Sequence, residues 1–110
     1  MQRRLNQRAR TDCSVRTWQG SLISSYRGIE VSPTGIVIDR ARPIDERDGG
    51  IYVEMEIVLP ERSRPLHAYA RPVWSFGTQQ AFKFVVMSDV DRLNLAEHVD
   101  LAAIRRHILH

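Results

Sequence analysis

One cysteine, one lysine and no long apolar run set the first limits on this 110-residue chain. Cys13 alone cannot form an internal disulfide, and no cysteine or histidine partners stand at zinc-ligand spacing. His67, His98, His107 and His110 are too scattered in sequence to mark a metal site, and His98 and His107 read as helix-surface residues. No apolar stretch approaches the roughly 18 residues that cross a bilayer. Membrane insertion is therefore not expected, and with no signal-peptide pattern a cytoplasmic protein is the expectation. Internal repeats and low-complexity segments are missing too. No nucleophile–base pair, paired-carboxylate site or metal cluster is legible, so neither an enzyme nor a bound cofactor is expected.

What is present is an ordinary soluble composition, 43% hydrophobic and 26% charged, enough for one modest core. The formal charge of +3 is too small to imply general polyanion binding. Its placement says more. The first ten residues hold Arg3, Arg4, Arg8 and Arg10 with no acid, and only Leu5 could anchor them in a core. A guanidinium is a planar fork of donors that suits phosphate and the O6/N7 edge of guanine, and it can stack on a base. A flexible arm with several such forks can close over an anionic ligand. Taken alone, the same arm also suits a solubilising chain end.

Beyond the arm, strand signals recur about every ten residues. Cys13, Val15 and Trp18 suggest a short first strand closed by Gln19-Gly20. Residues 21–31 are rich in β-formers, with Gly28 marking a bulge or bend. Ser32-Pro33-Thr34-Gly35 is a tight turn, because Pro33 fixes φ and Gly35 frees it, and Ile36-Val37-Ile38 follows as a short strand. After a polar loop ending in Asp48-Gly49-Gly50, residues 51–59 alternate strictly, with Ile51, Val53, Met55, Ile57 and Leu59 on one face. Leu66, Ala68, Ala70, Pro72, Trp74 and Phe76 set one face of the next strand, in which Pro72 argues for an edge position or a bulge. Residues 81–87 form the last strand.

Two segments carry a family resemblance. Arg4-Leu5-Asn6-Gln7-Arg8 matches Arg-x-x-x-Arg, and Glu30-Val31-Ser32-Pro33-Thr34-Gly35 resembles (Asp/Asn)-x-Ser-x-x-Gly, with Glu30 the one departure. In this order and at this separation, they are similar to the two signatures of PilZ domains, the bacterial receptors for cyclic di-GMP. Ala70-Arg71-Pro72-Val73-Trp74 and Phe82-Lys83-Phe84-Val85 resemble that family's closing hairpin, Ala81 standing where it commonly has glycine. The resemblance implies an all-β fold with a C-terminal helix: a six-stranded antiparallel β-barrel with a flexible N-terminal arginine arm. One domain would fill residues 1–110, with the arm at 1–12, the barrel at 13–88 and a helical segment at 89–110.

The resemblance also implies a cyclic di-GMP site formed by Arg3, Arg4, Arg8, Glu30, Ser32 and Gly35. Arg4 and Arg8 would meet guanine edges and phosphates, with Arg3 adding a contact. Ser32 would offer its hydroxyl to a phosphate or a backbone amide, and Gly35 would let backbone approach the ligand. Glu30 keeps the carboxylate about 1.5 Å further out than Asp, so it can accept the bond in a changed rotamer or collapse onto Arg27 or an arm arginine. The implied role is a receptor or adaptor that passes the signal to an unidentified downstream protein. A barrel that has lost the ligand and works by protein contact is the alternative. A nucleic-acid-binding barrel is disfavoured because the strands offer no evident aromatic platform.

The tail from Ser88 differs in kind. Ser88 is an N-cap candidate, with Asp89 and Asp91 at the positive end of a helix and Arg105, Arg106 and His107 near its negative end. Val90, Leu93, Ala96 or Leu95, and Val99 keep helical spacing, and Asp100 can restart a second segment. Apolar positions left over would suit a homodimer as well as a monomer.

Overall fold

The computed structural model describes residues 8–41 and 52–109, with side chains as far as Arg105. Arg3 and Arg4, most of the expected arm and most of the polar loop after Arg40 therefore lie outside the described residues.

Six strands make a closed antiparallel barrel: β1 (Ala9–Gln19), β2 (Leu22–Ser32), β3 (Gly35–Asp39), β4 (Val53–Val58), β5 (Leu66–Phe76) and β6 (Gln79–Met87). They pair in the order β1-β2-β3-β6-β5-β4, and β4 returns to β1 to close the ring. Closure leaves no sheet edge to template aggregation. Inward residues alternate with outward ones, as in Val53, Met55 and Ile57 of β4, which reach the core with Leu59 just beyond.

Bulges set the finer geometry. β1 begins at Ala9, earlier than its residue pattern suggests, because Thr11 and Asp12 form a bulge that interrupts the alternation between Arg10 and Cys13. Gly28 lies beside the shift in β2, and a Cβ there would stand 2.3 Å from Cys13 Sγ, so the thiol fills the space the glycine leaves. That burial pushes the Cys13 thiol up to a pKa of about 11, with a smaller contribution from the charge of Asp12.

The expected single face of β5 is corrected. Leu66, Ala68 and Ala70 point inward, but Trp74 is 44% and Phe76 82% exposed. A bulge between Pro72 and Trp74 inserts Val73 and changes the phase of the strand. Pro72 thus marks a bulge rather than an edge.

One helix, α1 (Asp89–Leu109), follows without a restart at Asp100. Ser88 caps it as expected: Asp91 N–H donates to Ser88 Oγ (3.1 Å) and Arg92 N–H to the Ser88 carbonyl (3.0 Å). Its inward face is Leu95, His98 and Val99, spaced at helical intervals, whereas Val90 and Leu93 are exposed. His98 is not a surface residue. It is 6% exposed, and the Glu61 carboxylate accepts from its Nδ1 while Nε2 shares a hydrogen bond with Thr11 Oγ1 (3.2 Å).

Candidate ligand-binding site

The β1–β2 register decides where the two motifs meet. Arg10 pairs with Glu30 and Ala9 with Val31, so the start of β1 lies alongside the end of β2. Two rows of outward residues cross the strands here, separated by an inward row of Val31, Ile36 and Phe82. One row runs Arg10, Glu30, Val37, Ala81, Trp74, with Ala81 buried beneath its neighbours; the other runs Ser32, Gly35, Lys83, Arg71, with Ser32 buried in its turn. Trp74 and Glu30 stand three strands apart in the first row, about 14 Å measured along the curved surface of the sheet. Between them is a cleft of about 300 Å³ lined by Arg8, Glu30, Ser32, Thr34 and Gly35, by Lys83 beside Gly35 on β6, and by Val73 and Trp74 of β5.

Within the cleft the two motifs touch. Arg8 Nη1 donates to Glu30 Oε1 at 3.4 Å, with side chains 66% and 32% exposed. Arg27 turns instead to Asp12, at 2.9 Å. So Glu30 holds the arginine that ends Arg-x-x-x-Arg. At this exposure such a pair stabilises the fold by at most about 1 kcal/mol, because water and salt screen it.

The turn holds itself together. Ser32 Oγ accepts from the backbone N–H of Thr34 (3.2 Å) and Gly35 (3.1 Å) and shares a hydrogen bond with Thr34 Oγ1 (3.1 Å). Of the two tasks expected of Ser32, the amide contact is thus filled from within the turn. Gly35 has a structural reason of its own. A Cβ there would lie 2.4 Å from the Phe82 carbonyl oxygen, so the glycine is required by close β3–β6 pairing whatever the ligand needs.

The Trp74 side of the cleft does not show in the residue pattern. Trp74, expected on one face with Leu66, Ala68 and Ala70, instead lines this cleft and an adjoining shallow one of about 660 Å³ that continues past Arg10, Arg27 and Asp39. Both recesses share Arg8, Glu30, Val37 and Trp74. The available signal was Pro72, whose bulge reverses the reading of everything after it. Among the described residues no group of three or more His, Cys, Asp or Glu could hold a metal ion. None of the described helices is long and apolar enough to cross a membrane.

No protein-family model matches the chain, and no curated protein matches it. Solved structures do. The inhibitor of motility MotI/DgrA from Bacillus subtilis superposes with a TM-score of 0.71 at 20% identity, over 93% of this chain and 51% of the other. The PilZ domain of CeSA from a cellulose-synthesizing bacterium superposes with a TM-score of 0.57 at 19% identity, over 84% of this chain and 93% of that domain. The fold is that of a PilZ domain. A third PilZ neighbour, the Borreliella burgdorferi protein PlzA solved in complex with c-di-GMP, gives a TM-score of 0.54 at 7% identity, over 94% of this chain and 54% of PlzA. The chain thus spans about half the length of MotI/DgrA and of PlzA, and close to the whole of the CeSA PilZ domain. On this PilZ barrel, Arg8, Glu30, Ser32 and Gly35 share one cleft.

Proposed function

We propose that this PilZ barrel is a receptor for cyclic di-GMP that orders its N-terminal arm on binding and passes the signal to a downstream protein. The observation that carries the reading is the meeting of Arg8 with Glu30, Ser32 and Gly35 in one cleft, although the two segments stand 22 residues apart at Arg8 and Glu30. The ligand offers two phosphates and two purines. Arg8 leaves Glu30 for a phosphate or guanine edge, with Arg3 and Arg4 reaching in from the arm. Lys83 adds charge from β6 beside Gly35, and the indole of Trp74 gives a purine a face to stack on. Ligand contacts offset the entropy of fixing the arm, which makes binding a switch. The receptor acts in the cytoplasm, in control of motility, biofilm formation or virulence.

The Arg8–Glu30 pair favours a second reading, a PilZ-like adaptor that binds the nucleotide weakly or not at all and works by protein contact. Calorimetric titration with cyclic di-GMP separates the two. The receptor gives heat that vanishes in both Arg4→Ala and Arg8→Ala; silence at high micromolar ligand selects the adaptor. Because Trp74 and Phe76 face solvent after all, the same titration includes an oligonucleotide, where steeply salt-dependent binding selects a nucleic-acid role.

A further inference from the structure

The residues behind the cleft belong to the helix. Arg92 Nη1 donates to the Pro33 carbonyl at 3.2 Å, and Pro33 is the second residue of the Ser32–Gly35 turn. Six residues further along, His98 bridges Thr11 in β1 and Glu61 in the β4–β5 connection. Thr11 sits in the β1 bulge three residues after Arg8. Leu95 and Val99 join the same core cluster as Ala9 and Val31, a cross-strand pair. Ala9 follows Arg8, and Val31 stands between Glu30 and Ser32. The cleft and the seat of α1 are thus opposite faces of the same two strand ends.

From this we infer that α1 is thermodynamically coupled to the cleft through Arg92–Pro33 and His98–Thr11, so that occupancy of the cleft is read out in how firmly the helix is held. The inference rests on the cleft being the binding site, and goes beyond it by assigning the output element. A nucleotide that engages the turn and draws Arg8 from Glu30 fixes the Pro33 carbonyl and the β1 bulge, the two places where α1 is tied down. Bulged strands bend more readily than regular ones, so Thr11 is where a pull on Arg8 is felt. The coupling is reciprocal: the factor by which occupancy of the cleft favours the seated helix is the factor by which the seated helix favours the ligand. The solvent-facing side of α1, with Val90, Leu93, Leu101 and Ile104 exposed, is what the coupling would present differently.

Hydrogen exchange of the α1 amides tests this in two arms, with the β4 amides as internal control. In ligand-free protein, Ser32→Ala loosens the turn and speeds α1 exchange about fivefold or more, the lower end of typical coupling. The effect is largely lost in an Arg92→Ala background and returns in Arg92→Lys, while β4 is unaffected. Equal effects with and without Arg92, or none, overturn the inference. In the second arm, cyclic di-GMP slows α1 exchange in the wild type. Arg92→Ala combined with Thr11→Val removes that slowing and weakens calorimetric affinity by about the same factor. Full binding heat with unchanged α1 exchange overturns the inference. Coupling in the first arm with no nucleotide heat supports the inference and counts against the proposed ligand instead.

Discussion

Shortening Glu30 by one methylene probes the interaction that sets this cleft apart from its family pattern. Arg8 Nη1 and Glu30 Oε1 are already 3.4 Å apart, and Glu30→Asp withdraws the carboxylate by about 1.5 Å, beyond ion-pair range. With Arg8 66% exposed, the pair contributes at most about 1 kcal/mol. If cyclic di-GMP must part this pair before Arg8 can reach it, that energy is returned to binding. Glu30→Asp then tightens the dissociation constant by at most about fivefold, since about 1.4 kcal/mol is tenfold. Unfolding in urea changes by less than about 1 kcal/mol for the same reason. Calorimetry at low and high salt gives a second handle. The Debye length falls to about 3 Å at 1 M salt, so the ratio between variant and wild type should shrink toward one. Weaker binding by Glu30→Asp, or a ratio indifferent to salt, refutes the reasoning and makes Glu30 itself a ligand contact at its present length.

Other consequences can be checked separately. Gly35→Ala, with its Cβ 2.4 Å from a backbone oxygen, should cost about 2 kcal/mol and lower the melting temperature by roughly 10 °C without any ligand; an unchanged melting curve would return the glycine to a purely ligand-facing role. Trp74→Ala should weaken cyclic di-GMP binding about tenfold through lost stacking. In Trp18→Phe protein the remaining indole emission should change on titration, and a silent signal counts against the platform. Partial burial of Glu61 opposes its ionisation, but the hydrogen bond and charge of His98 outweigh it and hold the carboxyl below its ordinary value of 4.5. Its contribution to stability is therefore complete above that pH and disappears as pH falls through the lowered value, and Glu61→Gln should flatten urea stability across that window. Cys13, raised to about 11 by burial, should ignore a disulfide reagent at pH 8 until the protein is unfolded; rapid labelling of folded protein contradicts its placement.

The barrel was legible where alternation is uninterrupted. Val53, Met55 and Ile57 fall inward as their spacing requires, and Ser88 caps α1 as its position suggests. Arg8, Glu30, Ser32 and Gly35 could be named because each motif is short and the β1–β2 hairpin carries one to the other. Trp74 was lost because a single inserted residue, Val73, flips the face of a strand, and sequence shows a bulge only indirectly, here through Pro72. His98 was misread for another reason. A polar residue at helical spacing reads as solvent-facing, and its burial depends on Glu61 and Thr11, which are distant in sequence. The helix face went the same way: Val90 and Leu93 are as apolar as Leu95 and Val99, and only the docking of α1 on the barrel chooses between them.

The most direct test of where a ligand sits is a titration of isotope-labelled protein with cyclic di-GMP, followed amide by amide. Shifts are expected to concentrate at Arg8, Glu30, Thr34, Gly35, Val37 and Lys83, the residues around the cleft. Saturating nucleotide that leaves these amides unmoved, or moves only amides across the barrel on β4, contradicts that placement of the ligand.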